Sequence, residues 1–592
     1  MAAMASSEHH QGLAYKWIAL SNTTLGVLMA SINGTILIIS LPAIFRGIQV
    51  NPLMPSQTGL LLWVMLSFNV ATTILLVTFG RISDSFGRVR LYNAGFAVFT
   101  LGSILCFLTP GLGVAGEGEL IAFRFVQGIG GAFLFANSAA ILTDAFPADE
   151  RGLALGLNQV AAIAGGVLGL ILGGLLSAVD WRLVFLVNVP IGLIGTIWAY
   201  VALREQVSDR EPARLDLLGN LTFGLGVLGV LVALTYGIIP YGSHAMGWSS
   251  PLVRTAMVGG LVLLALFVWV EGRVDRPLFN LRLFRIRAFT AGNLSGFLAS
   301  VGRGGLQFMM IIWLQGIWLP LHGVAYVNTP LQAGIDTTPQ MAGFLIAGPI
   351  SGRLSDRFGA RWFGFAGMMV TALGFVLLAL LPANFVYWQF ALYIFMVGIG
   401  MGMFASPNTA AIMSSVPALY RGAASGMRAT FQNAGMMMSM GIFFTIVITG
   451  MNSHLPGALY GGLTGFGLPQ TFAHAIASLP PTATLFAALL GYNPMAHLIP
   501  ATALRALPAA KAASLVGEAF FPHLISSPFM TALSTVFFFS MAMSVVAAVA
   551  SLLRGGRYIE SEFDLPGKSR QPVAAAPAGV PAGVATDPAA DP

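Results

Sequence analysis

Apolar residues in this chain come in long unbroken runs, and the polar residues gather in short clusters between them. Fourteen runs have the length of a membrane-crossing helix: 17–41, 59–80, 91–110, 120–143, 153–178, 183–203, 218–239, 253–270, 288–312, 336–352, 362–382, 388–416, 423–450 and 529–553. At a rise of about 1.5 Å per residue, some 20 apolar residues cross the ~30 Å hydrocarbon layer as a helix. The pattern predicts an all-α polytopic membrane protein. Three stretches interrupt it. Residues 204–217, "REQVSDREPARLDL", read as a charged linker. Residues 451–528 read as an insertion with apolar runs too short to span, such as "TLFAALLGYNP". It is expected to cap the bundle with short interfacial helices. The tail from Gly555 becomes Pro/Ala-rich and reads as disordered.

Composition supports the membrane reading. Only 9% of the 592 residues are charged, against roughly 25% in soluble domains, and mean hydropathy is +0.81. The 70 glycines suit helices that approach closely in lipid. Of the 29 Lys and Arg, 21 fall on the side of both chain ends and five on the other (Arg46, Arg182, Arg254, Arg505, Lys511). Three lie within spans: Arg124, Arg303 and Arg428. This bias predicts cytoplasmic termini. It also disperses the net charge of +7 over loops, without the basic patch that a nucleic acid needs. The polar residues 1–16 precede a run too long for a signal-peptide core, so an uncleaved first span is expected. Arginine outnumbers lysine 26 to 3 beside abundant Ala and Gly, which suggests a GC-rich bacterial genome, and the expected location is a bacterial cytoplasmic membrane. Cys106 is the single cysteine, so no intrachain disulfide forms. No Walker motif, paired intramembrane carboxylates, His cluster or metal-ligand spacing is present. ATP-driven pumping, membrane-embedded catalysis and a cofactor are therefore not expected.

The chain repeats itself. "GIGGAFLFANSAAILTDAFPADERG" (128–152) returns as "GIGMGMFASPNTAAIMSSVPALYRG" (398–422), a shift of 270. "GRISDSFGRVR" (80–90) returns as "GRLSDRFGARW" (352–362), a shift of 272. Two six-helix halves, 17–203 and 288–553, follow, with two extra helices in the 204–287 linker region and a cytoplasmic tail over 554–592. Internally repeated halves around a midplane site are the architecture of alternating-access transporters.

Four motifs now carry a family resemblance. Gly80, Asp84, Gly87, Arg88 and Arg90 resemble the signature loop of the major facilitator superfamily, repeated as Gly352, Asp356, Arg357 and Gly359. "RFVQGIGGAF" (124–133) resembles that superfamily's fourth-helix motif. "GGVLGLILGG" (165–174) and "DWRLVFLVNVPIG" (180–192) resemble its fourteen-span drug:proton antiporter branch. The resemblance implies a major facilitator fold and a monomeric secondary exporter of drug-like amphiphiles. It also implies that the two loops act as conformational gates, by charge-assisted bonds that change partners between states. The loop arginines are equally what the positive-inside rule demands. Gly165, Gly169 and Gly173 share one helix face and read as packing residues. Leu170 stands where the family pattern usually has proline, so no proline hinge is expected there.

"INGTILIISLP" (32–42) resembles the branch's first-helix motif with one departure: the family's aspartate is Asn33, followed by Thr35. An amide carries no proton near neutral pH. None of the 22 acidic residues falls in the middle of a predicted span, Asp144 and Asp336 coming closest, and all eight histidines fall outside the spans. Intramembrane cations remain. A shift of 270 aligns Asn33 with Arg303 and Asn158 with Arg428. Charges at such depth are costly and usually face a cavity. The predicted substrate or coupling cavity is therefore Asn33, Thr35, Arg124, Gln127, Asn158, Arg303, Gln307, Arg428 and Gln432, with Arg303 and Asn33 opposed on its floor. The "MMMSMG" run (436–441) either lines an adaptable pocket or packs. The alternative to drug export is a carrier of lipid or anionic metabolite, with unconventional or no proton coupling. Its insertion would then contact membrane lipid or an envelope partner.

Overall fold

The computed structural model describes residues 2–554 apart from 52, 148–149, 206–215, 243, 245, 275–276, 278, 418–420 and 506. The predicted tail and most of the 204–217 linker thus lie outside the described residues. Six helices make the first bundle: α1 (Ala2–Gly47), α2 (Pro55–Phe86), α3 (Arg88–Phe107), α4 (Gly113–Ala145), α5 (Arg151–Val179) and α6 (Leu183–Ala202). A hairpin of α7 (Leu217–Gly237) and α8 (Pro251–Glu271) follows. The second bundle comprises α9 (Arg287–Leu321), a short α10 (Thr329–Asp336), α11 (Thr338–Phe358), α12 (Ala360–Ala379), α13 (Tyr387–Ser414) and α14 (Arg421–Gly465). Its insertion holds α15 (Gln470–Ala477), α16 (Pro481–Leu490) and shorter turns before the final helix α17 (Phe520–Leu552).

Thirteen of these helices are long and apolar enough to span. The expected span 336–352 corresponds to α11, which is less apolar than these because its last turns carry Arg353, Asp356 and Arg357. It nevertheless packs along α13 as α2 packs along α4. The repeat is visible at that crossing. A Cβ on Gly128 would lie 2.6 Å from Phe68 O, and one on the repeated Gly398 would collide with Gln340 O, so close backbone contact requires glycine in both halves. Leu193, Ile194, Ile197 and Val201 of α6, like Val258, Leu261 and Val262 of α8, point outward. Exposed apolar stripes of this kind suit hydrocarbon.

Several expected boundaries change. Residues 2–16 belong to α1, α14 runs on to Gly465, and α17 begins at Phe520, so the insertion proper is shorter than 451–528. His454 and His523 consequently lie on spanning helices, exposed near the insertion. The insertion is also more than a surface cap. α15 and α16 meet at 93°, and every residue of α16 is buried. α16 touches α1 and α2 of the first half and α9 and α14 of the second. Arg46 donates to Leu490 O at its end (3.4 Å), and Gly491 closes it with φ +69°. An apolar helix of ten residues bounded by Pro481 and Gly491 is too short to span, but it fits the seam between two bundles.

The two membrane faces differ. Towards the insertion, one apolar cluster joins both halves, from Ile36 and Phe45 of α1 through Phe308 and Trp313 of α9 to Phe529 and Phe537 of α17. Towards the chain termini the apolar clusters separate. One holds Ala19, Tyr92, Phe96 and Leu134 of the first half, and another holds Ala299, Met368, Phe404 and Ala547 of the second. On one flank α7 bridges α2 to the second half through Phe223, Val227 and Leu231.

Candidate functional site

Both signature loops turn on a glycine with positive φ, Gly87 at 109° and Gly359 at 86°, a backbone region that strains other residues. Gly80 is different. Nothing lies within 4 Å of a Cβ placed on it, so crowding does not require glycine there, whereas its counterpart Gly352 faces Ser406 Oγ at 2.7 Å. In the first loop Arg88 Nη1 donates to both carboxylate oxygens of Asp144 at 2.7 Å. Glu205 accepts from the backbone N–H groups of Arg88 and Val89. A carboxylate at that point meets the free donors and positive dipole end of α3. The repeat puts Ala360 and Ser414 where Arg88 and Asp144 stand, so the second loop has no equivalent pair. Arg90 and Arg357 are exposed. The side chains of Asp84 and Asp356 lie outside the described ones.

The polar residues of the first half bond to one another. Arg124 donates from Nε to Val64 O (2.9 Å) and from Nη1 to Gln127 Oε1 (3.2 Å), while Gln127 Nε2 donates to Ser103 Oγ (2.8 Å). Asn33 Oδ1 accepts from Asn188 of α6 at 3.4 Å. Asn158 donates to Ser138 of α4 at 3.0 Å. Thr35 donates to Gly166 O at 3.0 Å, stitching α1 to α5. Next to that bond, a Cβ on Gly165 would lie 2.7 Å from Leu28 O, and one on Gly169 would lie 2.6 Å from Ile32 O. Gly173 meets Ile36 O at 2.8 Å in the same way. Leu170 is buried, with its carbonyl facing Gly334 of α10. Asn33, Thr35, Arg124, Gln127 and Asn158 therefore hold the first half together. None of them is among the residues that line the cleft around Arg303.

The second half contains a narrow cleft of about 40 Å³, partly open to solvent. Arg303, Arg428 and Gln432 line it, as expected, and Gln307 does not. Its position follows from "GRGG" (302–305). Helix α9 breaks at Gly304 and Gly305, then resumes and passes through a π-helical turn at Leu314–Trp318. Gly304 lies against the backbone of Met436, and Gly305 N donates to Ser439 Oγ at 2.9 Å. The methionine-rich run thus packs on the break and does not line the cavity. Arg303 occupies the last turn before the break, where a helix favours a cation. It lies 4.0 Å from the Met401 thioether. Arg428 Nη1 donates to Gln432 Oε1 at 3.1 Å, and its buried Nε has no partner.

Two charged residues escaped sequence reasoning. Glu117 lies inside α4, fully buried, with neither carboxylate oxygen hydrogen-bonded. The predicted span began at 120, which hid it. Arg554 follows the last helix, yet folds back into the second half and donates to Ser295 Oγ (2.9 Å) and Asn408 Oδ1. Burial lowers its pKa to about 10, so it stays charged at neutral pH. Asn408 also lines the cavity. It was legible as an amide within an apolar run, but its partner could not be guessed. Asp336, the other expected acidic candidate, accepts from Gln332 at 3.0 Å near the insertion.

Comparison with known proteins now adds to the geometry. The sequence profile of the Major Facilitator Superfamily matches residues 23–340 and 294–585. The riboflavin transporter RibZ of Clostridioides difficile (strain 630) is 28% identical over 432 residues, covering 72% of this chain and 87% of that protein. The multidrug transporter protein MdtP of Bacillus subtilis (strain 168) is 26% identical over 90% of this chain and 92% of its own. Among solved structures, a bacterial homolog of the human lysosomal transporter Spinster, inward-facing and unoccupied, aligns with a TM-score of 0.55. Its identity is 16%, over 92% of this chain and 99% of that one.

Proposed function

The chain belongs to the major facilitator superfamily, and from that premise we propose that it exports amphiphilic, drug-like small molecules by alternating access. The observation that carries this reading is the contrast between the two membrane faces: one apolar cluster across both halves towards the insertion, and towards the termini separate clusters in each half, bridged only on the α7 flank. Two bundles closed together at one face and parted at the other form one state of such a cycle. The 21-to-5 distribution of basic residues supports termini in the cytoplasm of a bacterial plasma membrane. The parted face then opens inward, where an exporter loads. Relatives named for riboflavin and for multiple drugs differ in cargo, so the cargo has to be argued from the cavity. Inverted membrane vesicles containing the protein should accumulate a fluorescent amphiphile faster than vesicles lacking it. Equal uptake across a panel of cationic, neutral and anionic amphiphiles, with and without the protein, would overturn the reading.

A further inference from the structure

We propose that the cavity of the second half binds an oxyanion headgroup, carboxylate or phosphate, carried on an apolar tail, with Arg303 and Arg428 as its ligands. The proposal deepens the transport reading and rests on it for the direction of movement, though not for binding.

A guanidinium held in low dielectric needs hydrogen-bond acceptors, best of all a carboxylate. Arg124 of the first half has them in Val64 O and Gln127 Oε1. The two arginines of the cavity have fewer. Arg303 has a thioether at 4.0 Å, a weak acceptor. Arg428 has an amide oxygen from its own helix and a buried Nε without a partner. No Asp or Glu lines the cavity among the described residues. Two cations therefore face one space without a counter-charge.

The neutral polar groups favour the same ligand. Gln432 gives its oxygen to Arg428, leaving its NH2 as a donor. Asn408 gives its oxygen to Arg554, which fixes the amide so that Nδ2 turns towards the Gly296 side of the cavity, 3.2 Å from the Cβ position there. Arg554 is thus a positioning residue. Two forked guanidinium groups and two amide NH2 groups make a donor set, and planar forks match carboxylate and phosphate. Asn293 donates to Phe289 O and leaves its own oxygen without a donor, which suits a headgroup hydroxyl. The remaining wall includes Phe297, Phe344, Met368 and Phe404, a surface for a tail and not for a free ion.

The test is binding to purified full-length protein in an uncharged detergent. Octyl phosphate and octanoate should bind, octyltrimethylammonium should bind at least tenfold more weakly, and inorganic phosphate should bind more weakly than octyl phosphate. Arg303→Ala and Arg428→Ala should each weaken octyl phosphate roughly tenfold or more, the loss of a charged hydrogen bond. Arg303→Lys should recover part of it. Arg303→Glu should reverse the preference towards octyltrimethylammonium, a gain that misfolding cannot mimic. Equal binding of the octyl cation and anion by the native protein would overturn the headgroup assignment, as would unchanged anion affinity in both alanine variants. Inorganic phosphate binding as tightly as octyl phosphate would overturn the tail. A vesicle assay in which cationic dyes move, while the protein binds no octyl anion, would sink this proposal and leave transport standing. Tight anion binding without any vesicle transport would do the reverse.

Discussion

The same helix crossing is built in opposite ways in the two halves. Where α1 meets α5, Thr35 supplies a hydroxyl and Gly169 the space, and α1 runs through unbroken. The repeat shift of 270 carries Thr35 to Gly305 and Gly169 to Ser439. Where α9 meets α14, then, the first helix supplies the space and the other the hydroxyl, with Gly305 N donating to Ser439 Oγ. Exchanging the roles has a consequence. Successive glycines break α9, and the residue before the break, Arg303, faces a cavity. Its counterpart Asn33 stays inside the bundle against Asn188. One half became a closed scaffold, and the other kept its cations uncompensated.

Mutations can break this contrast, and the largest effect is expected at the closed crossing. Gly169→Leu would drive a side chain into Thr35 and the backbone of Ile32. Such overpacking costs about 3 kcal/mol or more when neither helix can retreat. Loss of monodisperse protein on size exclusion is the expected outcome, and native yield and melting temperature would refute it. Next comes the pair of arginines. Arg124→Ala removes a donor that Gln127 needs and leaves a void, so a loss of about 2–4 kcal/mol is expected. Arg303→Ala orphans no acceptor comparable to these and removes a buried charge, so its stability should stay within about 1 kcal/mol of the parent. Thermal unfolding in detergent compares the two directly. Equal destabilisation would erase the distinction between scaffold and cavity.

Smaller effects sharpen the crossing itself. Ser439→Ala leaves the buried N–H of Gly305 without an acceptor, which costs about 1–3 kcal/mol. Thr35→Ala merely withdraws a donor from Gly166 O, and a cost near 1 kcal/mol or less is expected. The order of the two melting temperatures is the readout. A Thr35→Ala protein less stable than Ser439→Ala would mean that the break in α9 is held by something other than this hydrogen bond.

Much of the site was legible in the chain, though not all in the right grouping. Arg303, Arg428 and Gln432 were identified by their depth in apolar runs, and they line one cavity. Arg124, Asn33 and Asn158 had the same signature and are held inside the first half. Depth says that a polar group needs a partner, but it does not say whether that partner is protein or ligand. Glu117 was hidden by a boundary set seven residues inside the helix, and Arg554 by lying beyond the last run.

Spanning helices, their alternation across the membrane and the doubling of the chain were fixed by sequence alone. Transfer into hydrocarbon is a property of each residue, helix hydrogen bonds are local, and related segments fold alike. Which face each helix turns to its neighbours was decided only in the tertiary structure. Successive residues in a helix point about 100° apart, so a small rotation or a break exchanges a cavity wall for a packed interface. The glycines at 304 and 305 could be read from the chain. That they would leave Arg303 facing open space, and that an insertion helix would settle between the halves, depended on how all the helices packed together.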